Sequence, residues 1–231
     1  MKRLFFTVLV GFLISLNSFG QFNENPILNL ENFDKQRVHW GYFLGFNQYD
    51  FKFDYNENTG DVLVAKTTGF NVGLIGNLRL NDYFDLRFEP GLYYTQRDLG
   101  FPNFAEERDF LREVRSTYIH FPLLIKASTK RLGNFKPYIV GGVSTSINLG
   151  SNEDSRDDNS NGTFRMTRST YYYEIGFGID FYLFYFKFSP SIRGVFAFSD
   201  ELVPDADPNS PWTSNLNGMY SRAVFINFTF E

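Results

Sequence analysis

Eight segments of this chain alternate apolar and polar residues for longer than a strand of a soluble protein needs. They run over residues 40–55, 68–80, 83–97, 115–127, 134–149, 170–183, 184–198 and 219–230. A soluble strand is usually ~5–6 residues long, whereas a tilted strand crossing a bilayer takes ~9–11 plus overhang. A period of two sends successive side chains to opposite faces of a sheet, and a helix would repeat every third or fourth residue instead. In 68–80, Phe70, Val72, Leu74, Leu78 and Leu80 share one face, and Asn71, Gly73, Asn77 and Arg79 the other. In 170–183, Tyr171, Tyr173, Ile175, Phe177, Ile179 and Phe181 oppose Glu174, Gly176, Gly178 and Asp180. Segment 40–55 is less regular: the parity of its apolar residues switches near Asn47, which predicts a β-bulge there.

The connections narrow the choice further. Short joins at 81–82, 128–133 and 183–184 take turns with long polar stretches at 56–67, 98–114, 150–169 and 199–218. Short turns at one end and long loops at the other are the pattern of outer-membrane barrels, with the turns on the periplasmic side. The expected fold is therefore all-β: an eight-stranded antiparallel up-and-down transmembrane β-barrel with both termini periplasmic. A soluble sandwich or a lipocalin-like barrel also alternates, but the latter would face its apolar residues inward around a ligand. Phe and Tyr, 29 and 14 in number, fall mainly on one face, and aromatics make up 19% of the chain, which favours lipid exposure of that face. The opposite face carries Arg79, Asp85, Arg87, Glu89, His120, Lys126, Glu174, Asp180, Lys187 and Arg193. Charges turned to lipid at mid-membrane would each cost ~2–4 kcal/mol. Inside a narrow lumen opposite signs can pair, and eight strands leave an interior roughly filled by side chains rather than a wide pore.

Residues 1–20 read as a signal peptide. Lys2 and Arg3 precede an apolar run from Leu4 to Leu16, and Ser18 and Gly20 occupy the −3 and −1 positions before Gln21. Residues 21–38 form a polar periplasmic lead-in, and 39–231 the barrel. A net charge of −4 argues against nucleic acid, and the absence of cysteine excludes disulfides, thiol chemistry and a lipid-modified cysteine.

Chemistry-bearing residues are sparse. The chain has two histidines, His39 and His120. His120 lies on the polar face, where it could approach Glu89 across the neighbouring strand; a role as a catalytic base is outweighed by one in a polar lumen network. His39 is expected to anchor the periplasmic rim beside Trp40. Glu153, Asp154, Asp157 and Asp158 gather in one loop, but their spacing does not match a calcium loop. The mixed-charge stretch 98–114, with Glu106, Glu107, Arg108, Asp109, Arg112 and Glu113, could form a short helical turn. There is no HExxH, GxSxG or phosphate-binding glycine loop, so neither an enzyme nor a cofactor nor a small-molecule substrate is expected. Lipid-modifying or peptide-cleaving barrel enzymes, and adhesion barrels acting through long loops, remain the alternatives.

The stretch NFDKQRVHWGYFLGFN at 32–47, GLYYTQR at 91–97, YIHFPLLIK at 118–126 and YIVGGVSTS at 138–146 resemble outer-membrane barrels of the Bacteroidetes. The opening stretch in particular resembles the PorT/SprT family, associated with type IX secretion and gliding motility. The resemblance implies a role in assembling or operating that machinery through other secretion proteins, with no catalytic residues to carry over. The lead-in is the expected periplasmic contact, through Asn32, Phe33, Asp34, Lys35, His39 and Trp40, because the barrel's own periplasmic turns are short.

Overall fold

The computed structural model describes residues 27–57, 62–102, 104, 107–155 and 164–231. The expected signal peptide, Glu106, Asp157 and Asp158 lie outside them, and nothing is described of the Glu107 and Arg108 side chains. Among the described residues ten strands form: β1 (Val38–Tyr55), β2 (Leu63–Lys66), β3 (Thr68–Arg79), β4 (Phe84–Phe88), β5 (Gly91–Gly100), β6 (Leu111–Ser128), β7 (Phe135–Asn148), β8 (Ser169–Tyr182), β9 (Lys187–Ala197) and β10 (Leu216–Phe230). They make eight staves. β2 and β3 form one stave interrupted at Thr67, and β4 and β5 another, interrupted at Glu89 and Pro90. Pro90 has no N–H to give a ladder, which is why the regular pairing lapses there; its carbonyl still accepts from the Leu74 N–H at 2.9 Å.

Every ladder is antiparallel, and sequence neighbours pair around the sheet. β1 pairs with β10 on one side and with β3 on the other, which closes the ring. A closed ring leaves no edge strand and satisfies the backbone where no water is available.

Outward positions are apolar and exposed, as at Trp40 (75%), Leu74, Ile175 and Phe177, while the charged face is buried inside. This is the reverse of a lipocalin-like barrel. The parity switch in β1 is not a bulge. Registers with β3 and β10 run unbroken through Asn47, and the one irregularity lies at Asp54/Tyr55. The switch has another cause: Trp40, Tyr42, Leu44 and Phe46 face outward, whereas above Gln48 the inward Tyr49 and Phe51 are the apolar residues and Lys52 faces out. The strand keeps its pleat and leaves the bilayer, so what surrounds each face changes.

Two long connections are shorter than expected, because β2 and the upper part of β6 extend regular pairing into them. The expected helical turn is present as α1 (Glu107–Phe110).

Aromatics are not confined to the outer face. Phe43, Tyr49, Tyr93, Tyr118, Tyr172 and Phe225 point inward and cluster with Ile75, Val195 and Ala223. Phe43 fits because Gly73 and Gly91 lie beneath its ring; a Cβ at Gly91 would come within 2.7 Å of Phe43 Cζ. Gly73→Val is expected to cost about 1–3 kcal/mol by overpacking, read as a lowered urea midpoint of the folded barrel in lipid vesicles. An unchanged midpoint would show that the ring has room to move.

Candidate functional site

From the periplasmic end upward, the interior is a stack of side-chain layers. At the bottom, the lead-in crosses the barrel mouth. A 3-10 turn, Phe33–Lys35, sets the Phe33 ring parallel to His39 at 4.3 Å between centroids, with Lys187 Nζ 4.7 Å from the same ring. The Tyr182 hydroxyl donates to Asp34 Oδ1 at 2.7 Å. Asn134 ties the segment down through Asn29 N–H and Ile27 O, and Arg131 donates to the Asn29 and Leu30 carbonyls. Of the residues expected to meet a partner, Phe33, Asp34 and His39 are thus engaged by the barrel itself. Asn32 and Lys35 stay exposed at the rim, and Trp40 faces the lipid side.

The ionic layer follows. Glu231, just past β10, accepts from Lys187 Nζ at 2.8 Å and from Arg87 Nη2 at 3.2 Å. Its pairing with these two cations outweighs burial and lowers its pKa to about 2. Lys126 pairs with Asp180 at 2.6 Å, and Asp180 also accepts from Ser189. Arg87 reaches Glu89 at 2.6 Å. Arg193 then bridges two carboxylates, Glu89 at 2.6 Å and Glu174 at 2.9 Å. His120 joins through Glu174, with Nε2 to Oε1 at 2.8 Å, and not through Glu89 as the sequence suggested. The link from His120 to Glu89 therefore runs through Glu174 and Arg193. Asp85 is buried opposite Lys126 in the β4–β6 register. Arg79 stands apart, paired with Asp82 in the periplasmic turn and partly exposed.

Above lie the inward aromatics, and above them a second polar level that the sequence did not flag. Arg97 is fully buried, its guanidinium 3.8 Å over the Phe51 ring, and it donates to Tyr118 Oη at 2.6 Å and Ser221 Oγ at 3.1 Å. Ser221 in turn donates from N and Oγ to Glu201 at 2.9 and 3.0 Å. Glu201 belongs to the β9–β10 loop. Its N–H donates to Met219 O, and its carbonyl accepts from Thr167 N in the β7–β8 loop. The two loops meet again at the Met166–Leu202 bridge and pack with Phe51, Leu99, Phe101 and Phe164 into an apolar cluster that covers the extracellular mouth. Arg168 binds Glu153 and Asp154, the described members of the acidic loop, at 2.6 and 2.7 Å. Among the described residues no three His, Asp or Glu side chains converge on a metal position.

Burial raises the Glu201 carboxyl to about 7, above the ordinary 4.5, against the opposing pull of Arg97 and Ser221. The stability this group contributes is complete below about pH 4.5 and is lost as pH rises through about 7. Unfolding free energy is expected to fall by about 2–3 kcal/mol more between pH 5 and pH 8.5 in the parent protein than in Glu201→Gln. Chemical denaturation at both pH values checks this, and identical slopes in the two proteins would remove Glu201 as the cause.

Among curated proteins none matches the sequence. Solved structures that are similar include the N-terminal β-barrel domain of Pseudomonas aeruginosa OprF (13% identity, TM-score 0.38, 84% of this chain and 98% of that one). Others are the outer membrane protein OprG from the same organism (15%, 0.42, 84% and 93%) and Neisserial surface protein A (11%, 0.43, 84% and 98%). The family model for the outer membrane protein beta-barrel domain matches residues 19–203. With most of the sequence matched and a closed, lipid-facing ring of eight staves, the chain belongs to the outer membrane protein beta-barrel family and resides in the outer membrane.

Proposed function

We propose that this protein is a non-enzymatic, non-conducting component of a protein-secretion and gliding machinery of the PorT/SprT type, acting through protein contacts. The observation that supports it best is the interior, packed with paired ions and aromatics and covered at both mouths. Residues committed to holding the barrel together are not free to conduct or to bind a solute. His120 has no exposure and is ringed by Tyr93, Tyr172 and Phe225, so a substrate would have to enter a closed lumen to reach it. Function is left to the rims, the loops and the outer wall.

The opening stretch 32–47 supports the more specific assignment. Its Phe33, Asp34 and His39 build the periplasmic cover, which presents Asn32 and Lys35 outward as a fixed surface. Such a surface is what a periplasmic partner of a secretion machine would meet.

Deleting the gene in its host and comparing released proteins tests this reading. Many secreted proteins should disappear together, accumulate in the periplasm and return on re-expression. Unchanged secretion would refute it and leave an adhesion barrel acting through its extracellular loops.

A further inference from the structure

Three cations gather on the outer wall where β1 and β10 emerge from the apolar belt. Arg222 Nε and Nη2 donate to Asp50 Oδ2 at 2.9 and 2.7 Å, and Lys66 Nζ donates to the same oxygen at 2.9 Å. Lys52 sits two residues above Asp50 on β1 and pairs with Asp54 at 3.0 Å. Asp50 is almost enclosed, its side chain 12% exposed, and its other oxygen accepts the Phe51 N–H. The two cations it holds are 42% and 52% exposed. One carboxylate therefore fixes two cationic heads whose outward faces are free and whose charge it only half compensates.

The height of this group follows from its neighbours. Val224, Ile226 and Phe228 lie below Arg222 on the lipid side, and Phe46 and Leu44 below Asp50. At the level of the cations the stacked pairs Tyr173–Phe196 and Tyr171–Phe198 form an extracellular aromatic girdle. Recesses open on both sides of Arg222, one bounded by Gln48, Asp50 and Lys66, the other by Lys52, Tyr173, Phe198 and Tyr220. The cations thus stand in the headgroup layer of the outer leaflet, beside a polar recess and an aromatic shelf. Arginine's fork and lysine's point charge are the usual partners of phosphate.

We propose that this cleft binds a phosphorylated glycolipid of the outer leaflet through its phosphate, held by Arg222 and Lys66 with Lys52 alongside. The site lies outside the lumen and is independent of any role in secretion.

Native mass spectrometry of the detergent-purified full chain, titrated with bis-phosphorylated lipid A, tests the proposal. The parent protein should bind this lipid at least about tenfold more tightly than dephosphorylated lipid A, the effect of losing one charge-assisted contact. Lys66→Gln/Arg222→Gln should lose about tenfold in affinity, while Lys130→Gln in the periplasmic turn should lose nothing. If the double variant fails to fold, Lys52→Gln/Lys66→Gln, which leaves the Asp50–Arg222 pair in place, should still lose several-fold. Equal binding of both lipids, or full binding by a folded double variant, would overturn the proposal. Complete displacement of lipid by an equal concentration of inorganic phosphate would overturn it too, in favour of a free-anion site.

Discussion

Replacing Arg193 with alanine is expected to cost the barrel about 3–5 kcal/mol of unfolding free energy. The side chain is almost fully buried and stands between Glu89 and Glu174, each also buried. Its removal leaves Glu89 to Arg87 and Glu174 to His120, two buried carboxylates no longer bridged by the cation between them. Arg193→Lys keeps the charge but cannot span both carboxylates with a planar fork, so an intermediate loss is expected. Urea unfolding in lipid vesicles measures both. A loss under about 1 kcal/mol for the alanine variant would place that pair among water-screened interactions and contradict a sealed lumen.

Glu231→Gln should cost about 3 kcal/mol at neutral pH, because a carboxylate held near pKa 2 stabilises the fold once ionised. The sense of the pH effect is opposite to that of Glu201. Stability from Glu231 is complete above about pH 4.5 and drains away as pH falls toward 2. The gap between parent and variant should therefore be widest at pH 7 and narrow steadily below pH 4.5. A gap that does not change with pH would assign the loss to packing instead of charge.

The staves and the lumen charges were legible in the sequence because a period of two reports faces directly. Arg87, Glu89, Lys126, Glu174, Asp180, Lys187 and Arg193 all arrive inside. Partner choice was not legible, since it depends on which residue lies across the lumen: Glu174 is on β8 and His120 on β6, separated by β7. Two missed members could have been found from parity alone. Arg97 shares the face of Tyr93 and Thr95, and Glu231 that of Asn227 and Thr229. Glu201 carried no such signal, because it sits in a loop and enters the barrel only through contacts with β10 and another loop. The lead-in was equally opaque. Its fold across the mouth depends on Asn134 and Tyr182, more than a hundred residues away in the chain. The switch at Asn47 was visible but marks no bulge, since periodicity records polarity and not what surrounds each face.

That same switch has a mechanical meaning. A strand whose greasy side changes over at Gln48 is a depth stop. Pushing the barrel inward by one residue pair would carry Asp50 and Lys52 toward hydrocarbon, where a buried charge costs ~2–4 kcal/mol at the midplane and less near the edge. Pulling it outward would bring Phe46 and Leu44 into water. The two penalties rise in opposite directions, so β1 helps to set how high the extracellular cover stands above the membrane.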